Sequence, residues 1–471
     1  MLIATSGPSP AFLVDMRRLL PLAAALVAAA AFAPTAGAAT WSAPQTVSAP
    51  HTFAGPLLPT TTGAGALVAA WEWQDNVGND ARGGAATATR PAGATAFGRE
   101  STALDGLADL EPYASGQTLG LAAQGLPGRS GATGAILYRL KVVFSSGSTR
   151  KLATVPLIGR PQLATAARST TALVTWIEVT KTSSGAIRRI VRAVDRRNGR
   201  WGSPYTLSGQ GRADTITAAA DARGDQVVAF VRQGELLARV RRAGHSWGSI
   251  QRLTTATGPT QWQLASGVSE VGQVRVVWRR HQLRQSAKPG RTALESAALL
   301  VGRSRFTTAQ TLTPDGVSAS FRLIPIPGGW AVATVETTTG GPRPALHRTP
   351  PAGGSQFRPV IYAAPARGGI RGADLSFDAA LGAITVAWIQ PLPGQYGDGK
   401  ALAATLPGGG TAFGPIDEVS PPEAAHEVRL LQPPGAVGRP VALWTARPEG
   451  TGPSIPIAEI RTVVRSAQRT P

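Results

Sequence analysis

A short apolar strand that ends on a large residue recurs along this chain at a spacing of about 53 residues. The plain copies are 66–71, 172–176, 226–230, 274–278, 384–388 and 440–444, ending on Trp71, Trp176, Phe230, Trp278, Trp388 and Trp444. Weaker copies end at Gln124 and Val335, which makes eight. A period of this length marks a supersecondary unit that buries its apolar face only against its neighbours. Glycine stands six residues before the end position in six units, as Gly65, Gly224, Gly272, Gly329, Gly382 and Gly438. Another short strand precedes it, as at 215–218 and 321–324. Glycine tolerates positive φ, so each unit is expected to hold a hairpin that turns at this position.

A second pattern, an aromatic residue followed by an amphipathic strand, also counts to eight. It starts at Trp41, Phe97, Phe144, Trp201, Trp247, Phe306, Phe357 and Phe413. Pro44 and Pro204 fall inside it, where an edge strand can lack a backbone N–H. A further alternating strand, such as 187–194 or 235–240, lies between the two patterns. Four strands per unit is the arithmetic of propeller blades. The array opens on a fourth strand, 41–48, with no first three before it. It closes on a first, second and third strand, the last at 457–464, with no fourth. Pairing those two ends completes the last blade and removes two exposed sheet edges. The expected fold is all-β, a closed β-propeller of four-stranded antiparallel blades with the N-terminal strand closing the last one. Eight blades is the first count, and seven applies if the unit around Gln124 is not a blade. Tandem β-sandwiches of two units each are the rival architecture, disfavoured because no linker-like stretch breaks the array.

Residues 1–38 read as an N-terminal extension and signal peptide, and 39–471 as the repeat domain. Met16-Arg17-Arg18 supplies a positive start, 19–33 an apolar stretch, and Ala36-Gly37-Ala38 a cleavage site near Ala38. Met16 is as good a start codon as Met1. The expected location is secreted or cell-envelope associated, with no transmembrane segment after signal removal. An exported chain without cysteine has no disulfide scaffold, so burial must stabilise it.

At this point the chain resembles the secreted bacterial β-propeller repeat proteins, sialidase-like or WD40-like in blade organisation. The likeness rests on the aromatic, the glycine turn and the four short strands of each unit. The sequence lacks the S-x-D-x-G-x-T-W box of sialidase-type repeats and the paired marks of WD40 blades, so the resemblance implies a fold and carries no catalytic residue.

The net charge of +20 comes almost wholly from arginine. GC-rich coding accounts for such an excess, and attraction to a polyanion is its functional counterpart. The segment 279–291 holds Arg279, Arg280, His281, Arg284, Lys288 and Arg291 and no acid, and reads as a long connection between the second and third strands. Arginine clusters suit carboxylate and phosphate ligands through bidentate pairing. Arg280, His281, Arg284, Lys288 and Arg291, with the off-pattern Trp73 as a sugar-stacking platform, are therefore the candidate ligand residues. Asp75, Asn76 and Asp80 form an oxygen-rich stretch around Gly78 that suits calcium, or a plain turn. Calcium is the one cofactor suggested. The histidines show no zinc spacing, and no nucleophile elbow or phosphate loop is present. Arg223-Gly224-Asp225 coincides with the repeat's own turn glycine, and Asp221 and Asp378 suit turn formation.

The expected function is non-catalytic binding of an anionic polysaccharide, a cell-wall polymer or a protein surface through one loop face, by a monomer. Nucleic acid is disfavoured, because the basic segment lacks interleaved aromatics. The alternative is a glycan-active enzyme, a glycosidase or lyase, whose carboxylates converge near the central channel.

Overall fold

The computed structural model describes residues 40–470, apart from 52, 78–79, 105–106, 114–116, 131–135, 167–168, 210, 257, 284–290, 315, 351–353, 393–398, 422–424, 438 and 448–461. The expected signal sequence lies outside the described residues. Every regular element is a strand, and among the described residues no helix is long and apolar enough to cross a membrane.

The strands group into eight antiparallel sheets, each built as a meander, at 53–104, 107–156, 157–206, 213–255, 260–313, 317–362, 371–418 and 425–468. They are numbered 1 to 8 below. Sheets 2 and 3 share the long strand Thr149–Ala164. Its first half pairs with Ile136–Phe144 and its second with Ala172–Lys181. Sheets 7 and 8 meet through a single pair, Gly399 with Ala425.

Sheet 8 takes its fourth strand from the N-terminus. Gln45 lies opposite Ser466 and Thr46 opposite Arg465, with bridges from Trp41 to Arg469 and His51 to Thr462 on either side. The partner strand is Val463–Gln468, further along the chain than the 457–464 expected from sequence. Residues 457–461 of that expected strand lie outside the described residues.

Eight apolar clusters lie between successive sheets and return to their start. Trp176 packs between sheets 2 and 3, Phe230 between 3 and 4, and Trp278 between 4 and 5. Trp330 packs between 5 and 6, Trp388 between 6 and 7, and Trp444 between 7 and 8. Trp71 joins sheet 1 to Leu431, Val441 and Leu443 of sheet 8. A smaller cluster around Leu110 joins sheets 1 and 2. The molecule is thus a β-propeller of eight four-stranded sheets. In sheet 6 the aromatic sits at 330 rather than near 335, and the facing Gly267 makes room for it, since a Cβ there would collide with the indole.

Turn glycines behave as their spacing requires at Gly65, Gly224, Gly272 and Gly382, where φ is +86°, +97°, +81° and +63°. In sheet 6 the positive φ belongs to Gly328 instead of Gly329. Asp221 Oδ1 accepts the N–H groups of Arg223, Gly224 and Asp225, and Asp378 Oδ1 those of Ala380 and Leu381. Arg223 and Asp225 also pair with each other at 3.2 Å, so the Arg-Gly-Asp tripeptide is held inside its own turn.

The first strand of each sheet is an inner edge with unpaired N–H groups, a liability that side chains relieve here. Asp109 Oδ2 accepts the Leu163 N–H at 2.9 Å, Asp374 Oδ2 that of Leu430 at 2.8 Å, and Glu427 Oε2 that of Leu57 at 3.0 Å. Each bond runs from one sheet to the next and laces the inner strands together.

Candidate anion-binding site

The residues singled out from sequence separate in the fold. Trp73 lies in sheet 1 and Arg280 and His281 in sheet 5, four sheets apart around the ring. Arg280 and His281 sit in the strand Val274–Gln282, not in a loop, opposite Ala293 and Thr292. Arg280 pairs with Glu295 at 3.1 Å, and His281 Nδ1 lies 2.7 Å from the Thr292 hydroxyl. Arg291 is exposed. Arg284 and Lys288 lie outside the described residues.

Asp75, Asn76 and Asp80, expected to suit calcium, stand in strands on either side of Gly78 and Asn79, which lie outside the described residues. Leu67–Val77 and Asp80–Arg90 pair along their full length, with Asp75 opposite Arg82, Asn76 opposite Ala81 and Val77 opposite Asp80. A run of polar residues has the look of a loop, whereas here polar residues of two strands pair across from one another. The Asp75 carboxylate lies 3.2 Å from His51 Nδ1, and His51 Nε2 lies 3.1 Å from Glu100. Trp73 stacks on the His51 ring at 4.9 Å between centroids, so its face is covered by the chain's own imidazole. Among the described residues no group of three histidine, aspartate or glutamate side chains is placed to hold a metal ion.

Near the axis the carboxyl groups are mostly occupied. Asp109, Asp374 and Glu427 accept the inner-strand bonds above, and Arg322 reaches Asp374 at 3.6 Å. Glu111 differs. Burial, and then the charge of Asp109 two residues away, push its carboxyl well above the usual range, with Arg322 opposing them. Burial also raises Asp109. Arg322 belongs to sheet 6 and Asp109 to sheet 2, so opposite sides of the ring feel each other's charge.

A cavity of about 670 Å³ opens where sheet 1 meets sheet 8, on the face that carries the turns between first and second strands. Three segments frame it. Gly63, Ala64 and Gly65 belong to the first turn of sheet 1, 90–95 to its third, and 433–437 with Arg439 to the first turn of sheet 8. Prolines 91, 433 and 434 supply apolar walls. Gly65 turns here at φ +86°, a backbone conformation that favours glycine, with Ala92 and the Pro434 carbonyl as its neighbours across the cavity.

Arg90 ends the strand Asp80–Arg90 at the floor of this cavity and is only 6 % exposed. Its guanidinium donates to Gln468 Oε1 at 3.2 Å, and among the described residues no carboxylate pairs with it. Burial pulls it below the ordinary arginine value, the direction for a cation short of counter-charge. Of the other buried arginines, Arg241 has a carboxylate, whereas Arg275, pulled down to about 10 by burial, has only neutral acceptors and an aromatic ring. Arg241 donates to both oxygens of Asp195, at 2.6 and 2.9 Å. Arg275 donates to the Ser355 carbonyl at 2.8 Å and lies 4.9 Å from the centre of the Phe357 ring. Arg439 stands exposed on the rim, again without a carboxylate partner among the described residues. A buried guanidinium and an exposed one thus line the same cavity, and a fork of N–H donors fits carboxylate or phosphate oxygens.

Sequence reasoning missed this site. Its residues come from the two ends of the domain, and Arg90 looks like any other arginine in an arginine-rich chain. The one available signal was the predicted pairing of the termini, which brings 433–437, 439 and 468 beside sheet 1.

No family model matches the chain, and no curated protein matches it. Among solved structures it is similar to the NanB sialidase of Streptococcus pneumoniae, at 11 % identity and a TM-score of 0.38, over 91 % of this chain and 70 % of that one. It is also similar to the intramolecular trans-sialidase of Ruminococcus gnavus, at 9 % identity and a TM-score of 0.38, over 89 % and 94 %. A PL25 ulvan lyase matches at 9 % identity and a TM-score of 0.41, over 70 % and 87 %. The class of protein, a four-stranded-sheet propeller, is defined by the chain's own pairing and packing rather than by these distant likenesses.

Proposed function

We propose that this chain is a binding propeller for an anionic glycan or cell-envelope polymer, and that it takes an acidic group of that polymer between Arg90 and Arg439. The observation that carries this reading is the buried Arg90 guanidinium, which faces a cavity of about 670 Å³ without a carboxylate to pair with. The ligand class is the one the basic composition suggested, but the face is the other one. The bound group would supply the missing counter-charge and displace water from an apolar-walled recess, where a charge-assisted hydrogen bond is strongest.

The enzyme alternative asks for two carboxyl groups facing each other across a pocket, roughly 5–10 Å apart. Two pockets present arginine or hydroxyl groups instead and a third holds the single carboxylate of Glu270, while Asp109, Asp374 and Glu427 near the axis are bonded to backbone.

Calorimetric titration with oligogalacturonate tests the proposal. Substituting Arg90→Met keeps the aliphatic bulk and removes the donors, and should weaken binding by about 10- to 100-fold, the value of a charge-assisted hydrogen bond. Arg439→Gln should weaken it less and flatten its salt dependence. Affinity unchanged in R90M, with the melting temperature also unchanged, would sink the reading.

A further inference from the structure

The interface between sheets 1 and 2 is built unlike the other seven. Each of those is plugged by an aromatic side chain from the second strand of the later sheet: Trp71, Trp176, Phe230, Trp278, Trp330, Trp388 or Trp444. Side chains two residues apart on a strand share a face. In sheet 3, Ala172, Val174 and Trp176 face back toward sheet 2. The corresponding positions of sheet 2 hold Gly120, Ala122 and Gln124, smaller or polar at every step. The buried cluster at this interface shrinks to Val68, Ala70, Ala85 and Leu110, and a crevice of about 280 Å³ is left.

The lining of that crevice is selective. One wall carries the hydroxyls of Thr87, Thr89 and Ser101, with Thr87 and Ser101 directly opposite in register. The other carries Val143, Ser145 and Leu110, while the neighbouring Phe144 ring turns to the opposite face of sheet 2, against Tyr113 and beneath Arg196 of sheet 3. None of the lining residues is charged, in a chain of net charge +20. A row of hydroxyls beside the aliphatic groups of Val68, Leu110 and Val143 matches an uncharged sugar, whose ring offers hydroxyls at its edge and C–H groups on its faces. The volume admits a group of monosaccharide size.

The crevice also adjoins the arginine cavity. Thr62 and Ala66 line the one, and Gly63, Ala64 and Gly65 line the other, on a single turn of sheet 1. We propose that the crevice is a subsite for an uncharged sugar, so that one strand of a polymer alternating acidic and neutral residues occupies both recesses. The joint occupancy rests on the anionic-glycan reading above, and the crevice itself does not.

Calorimetry with two probes separates them: hyaluronan oligosaccharides, which alternate glucuronate with an uncharged amino sugar, and oligogalacturonate, which is acidic throughout. The wild type should prefer the alternating probe by about tenfold, roughly 1.4 kcal/mol. Gly120→Val narrows the crevice and Thr87→Ala removes a hydroxyl without adding bulk. Both should abolish the preference and leave oligogalacturonate affinity unchanged. A preference that survives both substitutions, or a wild type that shows none, overturns the crevice subsite. Loss of oligogalacturonate binding in R90M alongside either of those results leaves the anionic reading standing, so the two failures are distinguishable.

Discussion

At the residue scale, the informative side chains are those whose charge is not answered nearby. Arg90 lacks an anion, whereas Arg241 has Asp195 and Glu336 has His347 at 2.7 Å. Burial opposes the charge of Glu336, but His347, Thr313 and Tyr362 outweigh it and hold its carboxyl below the usual range. Tyr205, buried beside Asp195, is pushed up to about 12. Those networks are structural cement between and within sheets. Glu111 is the opposite case, raised by burial and by Asp109. A carboxyl raised in the folded state binds its proton more tightly there than in the unfolded chain. Its contribution to stability is therefore complete below the unfolded glutamate value of about 4.3, and is lost as pH rises through the folded value. Glu111→Gln should melt at a higher temperature than the wild type at pH 7 and level with it near about pH 4. A variant that is less stable at pH 7 would show that the Glu111 charge is stabilised rather than strained.

At the scale of the element, the repeat was legible because burial imposes it. The strand that ends on tryptophan must hide that indole against the neighbouring sheet, so Trp71, Trp176, Trp278, Trp388 and Trp444 keep their spacing. Trp388→Ala should cost about 3–5 kcal/mol, as large-to-small changes in packed cores do. Gln124 stands at the same position of sheet 2, where its Oε1 is buried without a hydrogen-bond partner, so Gln124→Ala should shift stability by less than about 1 kcal/mol. Urea denaturation of the two variants gives the comparison, and equal losses would contradict the picture of one unplugged interface. Polar strand ends were the illegible part. Asp75, Arg280 and His281 look like loop residues in polar stretches, yet they extend strands that pair with Arg82, Ala293 and Thr292. Their pairing depends on the facing strand, which local pattern does not contain.

At the scale of the molecule, ring topology decides where the candidate site falls. Both recesses flank sheet 1, and the arginine cavity exists only because sheet 8, with its borrowed N-terminal strand, lies beside it. Terminal offset in the repeat predicted that arrangement, whereas the cavity between 63–65, 90–95 and 433–437 had no signature in any one stretch of sequence. The chain's lack of cysteine makes a direct test available. Thr46 and Arg465 are opposite one another in the closing pair, and directly opposed antiparallel residues lie within about 4.5–5.5 Å, inside disulfide range. The double variant Thr46→Cys with Arg465→Cys should form one intramolecular disulfide under air oxidation and gain about 2–4 kcal/mol over its reduced form, with oligogalacturonate affinity retained. Free thiols that persist in the folded protein, or cross-links that join separate molecules, would contradict a ring closed by its own first strand.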